Sequence, residues 1–224
     1  MNLILCAVAP ILTIIIYIYF QDKYEKEPLG LLVASFLFGA IVSVIITTIL
    51  YLASDKVIPM TNEYSIWQQF VQAFIVVALS EEFSKYIIVK YYAQPKKAFN
   101  EPFDGIVYAV MVSMGFACTE NIMYVLNSGF ETAVLRAFTA VPAHATFGIL
   151  MGYYMGKAKF SSNRLKLNLT GFFLAVLFHG AYDFFLFIRF IPGVYIGAFV
   201  SLIIAIILSK KAIRRHQERS NFKP

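Results

Sequence analysis

The chain has 224 residues, 59% of them hydrophobic and only 14% charged, with a formal charge of +6. That composition excludes an ordinary soluble domain and a disordered chain, and it is the composition of a membrane protein. The two cysteines, Cys6 and Cys118, both lie inside apolar runs, which excludes a disulfide framework or CxxC metal site and leaves them as packing residues.

In chain order, seven apolar runs are long enough to cross about 30 Å of hydrocarbon at roughly 20 residues each. They cover 3–20, 29–53, 66–90, 103–127, 134–156, 166–188 and 191–209. The first has no basic residue before it and no small-residue cleavage site after it, so it reads as a retained helix. "EPFDG" opens the fourth run, where Asp104 is as good a helix cap as a chemical group. The last two runs are separated only by "RFIPG", which makes either a tight hairpin or one span plus a re-entrant piece. The expected fold is therefore an all-α polytopic bundle of about seven spans, with six or eight also compatible. Residues 1–209 form the membrane domain and 210–224 a basic tail, in which His216 is expected to be solvated.

The basic residues set the orientation. Fifteen of the 19 Lys and Arg fall on one side of the bundle and three on the other, with Lys85 inside a span. By the positive-inside rule the amino terminus is outside and the tail cytoplasmic. The positive charge then reflects topology and contact with anionic lipid, and a nucleic-acid partner is not implied. No connection is long enough to fold as a domain, so any chemistry is done in or near the membrane.

Five ionisable residues besides histidine sit deep inside the runs, away from the first and last three positions: Glu81, Glu82, Lys85, Glu120 and Asp183. At roughly 2.5–3.5 kcal/mol each for insertion at a helix centre, together they cost on the order of 12–17 kcal/mol. That matches the whole stability of a typical domain. Such a cost argues for a shared polar cavity, joined at similar depth by His144 and His179. Glu81 and Lys85, four apart, also suit a plain intrahelical ion pair. His179 and Asp183 are four apart on the face that carries Gly171 and Ala175. His144, Gly148, Gly152 and Gly156 form a small-xxx-small ladder. Measured from the outer ends of the runs, these groups place the site in the outer half of the membrane or near its middle.

Two chemistries fit this set. Histidines and carboxylates, here His144, His179 and Asp183, hold Zn²⁺ with an open position while Glu81 or Glu82 serves as general base. Alternatively, a buried glutamate activates water without metal and the imidazoles stabilise the oxyanion. No HExxH is present, so ligands come from separate spans. Two other classes remain open on these residues. One is a proton- or ion-coupled transporter, since acid and His chains also relay protons; the other is a scaffold that binds membrane partners.

Four motifs occur together: "SEEFSK", "FDGIVYAVMVSMGFACTENIMY", "AHATFG" and "FHGAYD". In order and apolar setting they resemble the PrsW-type intramembrane proteases, within the superfamily that includes the CAAX-processing enzymes. The resemblance spans roughly Met1 to Asp183. It aligns Glu81 and Glu82 with the paired glutamates, His144 with the HxxxG histidine, and His179 with Asp183 as the HxxxD element. Glu120 and Asn121 match the "EN" pair, and Lys85 stands where the CAAX branch has Arg one position later. The resemblance implies cleavage of a membrane-anchored, single-pass substrate. In the founding bacterial case that is the first cut in an anti-sigma factor during envelope stress signalling.

Overall fold

The computed structural model describes residues 2–220, 222 and 223. Every regular element among them is helical. This follows from the apolar composition, because in hydrocarbon each backbone amide and carbonyl must be satisfied within its own segment. The helices are α1 (Leu3–Gln21), α2 (Leu29–Val57), α3 (66–93), α4 (Pro102–Ser128), α5 (Phe130–Phe138), α6 (Ala140–Lys159), α7 (Arg164–Phe187) and α8 (Ile196–Glu218). Six segments, counting α5 and α6 as one, are long and apolar enough to cross a membrane. The equally long α3 carries Glu81, Glu82 and Lys85 at its centre.

Local chemistry sets the ends. The Asn2 side chain accepts the amides of Ile4 and Leu5 at 3.1 and 3.4 Å, starting α1. At the start of α4 the Asp104 carboxylate accepts the amides of Asn100 (2.7 Å) and Glu101 (2.8 Å), with Pro102 at the first helical position. Asp104 is thus a cap. Gly129, at φ 83°, ends α4 and turns the chain into α5. The run expected at 134–156 is broken at Thr139, because Pro142 has no N–H for the carbonyl of Phe138 and its ring crowds that carbonyl. Gly193, at φ 82°, closes the turn between α7 and α8, so the last two helices form a tight hairpin.

The core is built around α4, which is buried without interruption from Phe103 to Cys118. It meets α6 along a glycine seam. A Cβ on Gly152 would lie 2.3 Å from the carbonyl oxygen of Gly105, and one on Gly156 2.0 Å from that of Pro102. The ladder below His144 therefore brings two backbones together. α2 crosses α4 just as closely, Gly39 against the Val112 carbonyl and Gly115 against that of Phe36.

Two features at the end of the bundle that carries most basic residues differ from a plain solvated rim. Asp22, Glu27 and Glu101 are buried there, and burial pushes the Asp22 carboxyl up to about 7. α8 runs on through Glu218, and His216 is buried, not solvated as expected. No Gly or Pro interrupts the helix after Ile196 except Gly197, so its inner face keeps packing past the apolar run, and the His216 ring stacks on Tyr153 at 4.3 Å.

Candidate active site

α3 supplies the centre of the site. Its wide π-type turns at Gln72–Ala78 and Val89–Ala93 bracket the α-helical stretch Leu79–Ile88, which carries Glu81, Glu82 and Lys85. All three are buried, Glu82 completely. The Lys85 ammonium donates to Glu82 Oε1 at 2.7 Å and to Glu81 Oε2 at 3.4 Å, so the closer partner is i,i+3 and not the i,i+4 residue. It also donates to His144 Nδ1 at 3.3 Å and lies 4.3 Å from the centre of the Phe116 ring.

That contact assigns the His144 tautomer. With Nδ1 accepting from Lys85, Nε2–H donates to Glu120 Oε2 at 3.0 Å. Glu120 in turn accepts from Arg136 Nη2 at 2.6 Å, and Arg136 Nε donates to Asn121 Oδ1 at 2.7 Å. Asn121 Nδ2 donates to the Ala7 carbonyl, tying the chain of contacts to α1. The "EN" pair thereby gains a physical role: Glu120 orients His144, and Asn121 anchors the arginine that holds Glu120.

His179 is clasped from both sides. Its Nδ1 lies 2.8 Å from Glu82 Oε1, and its Nε2 lies 3.2 Å from Asp183 Oδ2 and 3.9 Å from Glu81 Oε2. Phe147 stacks on the ring with centroids 4.8 Å apart, and the two imidazoles stand nearly perpendicular at 5.3 Å. On α2, the Tyr51 hydroxyl donates to Glu81 Oε1 at 2.7 Å.

Glu81, Glu82, His144 and His179 each offer a ligand atom, and the four atoms lie within 4.8 Å of one another. Three helices far apart in sequence thus converge on one point. Asp183 lies outside this group, against Nε2 of His179. The donor set suits a divalent metal, and a second observation agrees. Glu82 Oε2 is buried without a hydrogen-bond partner, a costly arrangement unless it has a ligand. The formal charges also agree, since Glu81, Glu82, Glu120 and Asp183 outnumber Lys85 and Arg136 by two in a low-dielectric setting, a deficit that one dication balances.

A cavity of about 520 Å³ reaches the cluster and is bordered by Glu81, His144, His179, Glu120 and Asp183, with Tyr51 and Arg136 on its walls. Glu82 and Lys85 do not border it. The two adjacent glutamates are thereby distinguished: Glu81 faces open space, while Glu82 lies behind it and holds Lys85 and His179.

Tyr51 and Arg136 do not emerge from the sequence as site residues. Arg136 counts there only as a loop charge for orientation. Tyr51 has a legible signal, because Ser43, Thr47 and Tyr51 recur every four residues and form a polar stripe on an otherwise apolar helix. Ser43 and Thr47 contact the Ser84 hydroxyl at 2.5 and 3.0 Å, aligning that stripe with α3.

A cavity lined by carboxylates and imidazoles, enclosed in a bundle of membrane-crossing helices and equipped to hold a metal, belongs to a membrane-embedded hydrolase. The chain belongs to the PrsW family of intramembrane metalloproteases, whose sequence profile matches residues 27–210. It is 40% identical to Protease PrsW of Geobacillus kaustophilus over 201 residues, covering 89% of this chain and 86% of that protein. It is 41% identical to Protease PrsW of Oceanobacillus iheyensis over 187 residues, 83% of each chain, and 35% identical to that of Bacillus subtilis over 186 residues, 82% of each. No solved structure matches it. The chain is a protease and a multi-pass protein of the cell membrane.

Proposed function

We propose that Glu81 is the general base of peptide-bond hydrolysis and that His144, His179 and Glu82 hold Zn²⁺. The observation that carries this reading is the meeting of ligand atoms from these four side chains within 4.8 Å of one another, with Glu81, His144 and His179 bordering the cavity and Glu82 behind them. Two imidazoles and a carboxylate are a zinc donor set, and Zn²⁺ when bound lowers the pKa of water and polarises a carbonyl. Glu81, held by Tyr51, takes a proton from water as the water oxygen bonds to the scissile carbonyl carbon. The same carboxyl then passes that proton to the amide nitrogen as the C–N bond breaks, leaving a carboxylate and an amine. Glu120 and Asp183 orient the two imidazoles through His144 Nε2 and His179 Nε2.

The substrate is a membrane-anchored, single-pass protein, and the leading candidate is an anti-sigma factor receiving its first cut in envelope stress signalling. Placement supports this. The cluster lies near the start of α6 and toward the ends of α4 and α7, away from the connections rich in Lys and Arg. With those connections in the cytoplasm, the amino terminus is outside and the cut falls in the outer half of the membrane. The test is cleavage of a single-pass anti-sigma factor in proteoliposomes, with the new amino terminus sequenced. The parent is expected to cut it, and Glu81→Gln and His179→Ala to lose at least a hundredfold in rate. A parent that leaves it whole contradicts the substrate, and variants that cut at the parental rate contradict the site.

A further inference from the structure

We infer that the basic end of the bundle carries a lipid site: a groove between α1 and α8 that takes one anionic phospholipid, its phosphate among lysines and its acyl chains in an apolar slot beside them. This site shares no lining residue with the active-site cavity and does not depend on the proteolytic reading.

Packing leaves the groove open. α1 lies against α4 and α5, whereas α8 lies against α6 and α7. The two are joined by hydrogen bonds near their ends, where Gln217 Nε2 donates to the Gln21 carbonyl at 2.6 Å and to its side-chain oxygen at 3.0 Å. Beside that contact lies a cavity of about 420 Å³ with Lys23, Lys210, Arg214 and Lys223 on its walls, together with Tyr17 and Tyr24. The one acid among its lining residues, Glu218, is taken by Arg214 Nε at 2.7 Å, which leaves the Nη groups of that guanidinium uncommitted to it. None of Lys23, Lys210 and Lys223 is in a salt bridge among the described residues.

A second cavity continues from the first into the hydrocarbon. Ile14, Ile18, Ile149 and Ile206 line it, and it shares Tyr17, Lys210 and Ile213 with the basic one. Both α1 and α8 run toward the basic end, and on each the residues of this slot come earlier than those of the basic cavity, so the slot lies on the membrane side. The two spaces together are amphiphilic in the order of a phospholipid. Lysines and an arginine hold a phosphodiester through charge-assisted hydrogen bonds. The tyrosines sit where a ring with one wet and one apolar end is stable. The slot takes methylene groups whose absence would leave its walls without contact partners. An anionic head group is selected over a zwitterionic one, because the walls carry four cations against one acid and a choline would bring a fifth positive charge among them. A soluble phosphate shares the head-group chemistry but leaves the slot unfilled. The floor of the slot is α6 at Ala145 and Thr146, immediately after His144 in the chain, so the lipid braces the helix that carries a site imidazole.

The test is the lipid affinity of the purified full-length chain, read by native mass spectrometry from neutral detergent micelles with added phosphatidylglycerol or phosphatidylcholine of the same acyl chains. The parent is expected to take one equivalent of phosphatidylglycerol at least tenfold more tightly than phosphatidylcholine. Lys23→Gln/Lys210→Gln/Arg214→Gln should lose that preference. Lys211→Gln/Arg215→Gln/Arg219→Gln, an equal change in charge off the cavity walls, should keep it within twofold. Ile14→Trp, which fills the slot and spares the cations, should weaken phosphatidylglycerol binding at least fivefold. Glycerol phosphate offered alone should bind at least a hundredfold more weakly than the lipid. Equal uptake of the two lipids by the parent, equal losses from the two triple variants, or parental affinity in Ile14→Trp overturns the site. Glycerol phosphate binding as tightly as the lipid overturns a lipid as its occupant. None of these readouts depends on cleavage.

Discussion

Lys85→Met probes the network at its most connected atom. The ammonium is 2.7 Å from Glu82 Oε1, in a pair whose side chains are 2% and 0% exposed. Removing one partner of such a pair leaves a buried carboxylate uncompensated, which costs about 3–5 kcal/mol. On a protein of ordinary stability that is a large fraction of the total. The Glu82→Met variant strands the ammonium against Glu81 at 3.4 Å and is expected to cost a similar amount. The Glu82→Met/Lys85→Met double variant removes both charges and replaces them with apolar volume, so it should be more stable than the sum of the single losses predicts, by about 2–3 kcal/mol. Equilibrium unfolding in mixed detergent micelles measures all four corners of the cycle. Additivity within about 0.5 kcal/mol would refute the claim that Lys85 is held by, and holds, the glutamate pair.

Other outcomes follow from single contacts. Tyr51→Phe removes the hydrogen bond to Glu81, an interaction with a charged group worth about 1.5–3 kcal/mol. The expected result in steady-state assays is a kcat roughly 10–100-fold lower with KM within twofold. Gly152→Ala places a methyl 2.3 Å from the Gly105 carbonyl and should destabilise by about 1–3 kcal/mol, whereas Gly30→Ala meets nothing and should be neutral or stabilising by up to about 1 kcal/mol in the same unfolding assay. Asp22 has its carboxyl raised from 3.8 to about 7, so the folded state binds its proton more tightly than the unfolded chain. The stability this confers is complete below the lower value and is lost as pH rises through the upper one. Asp22→Asn should flatten the decline between those two values and leave the protein about 1–3 kcal/mol more stable than the parent at pH 8.

The spans are legible in the sequence because lipid imposes one rule on every segment, and apolar length reports obedience to it. The breaks are harder to read. Pro142 ends α5 four residues upstream of itself, and apolar content alone does not separate that break from a continuous span. His144, His179, Glu81 and Glu82 stand out because ionisable groups are rare in hydrocarbon. Which glutamate faces the cavity is invisible, since adjacent helical residues differ only by rotation about the axis, and helix packing sets that rotation. Asp183 shares a face with His179 and so reads as a ligand; it meets the ring at Nε2, the nitrogen nearer Glu81, whereas Glu82 meets it at Nδ1. Arg136 belongs to the site through an ion pair across 16 residues, and Tyr51 through a hydrogen bond across 30, separations that helical periodicity does not bridge. His216 shows the converse: a basic tail implies solvent, but the helix continues and its inner face stays packed.

The most direct test of a single metal centre built from three helices is the metal content of the purified protein, measured by mass spectrometry beside its variants. One equivalent of zinc per chain is predicted for the parent, falling below a tenth in His144→Ala and in His179→Ala while Glu81→Gln keeps most of it. Chelation of the parent should abolish cleavage, and added zinc should restore it. A parent that cleaves its substrate at full rate with no metal bound, or His variants that retain a full equivalent, would contradict the account.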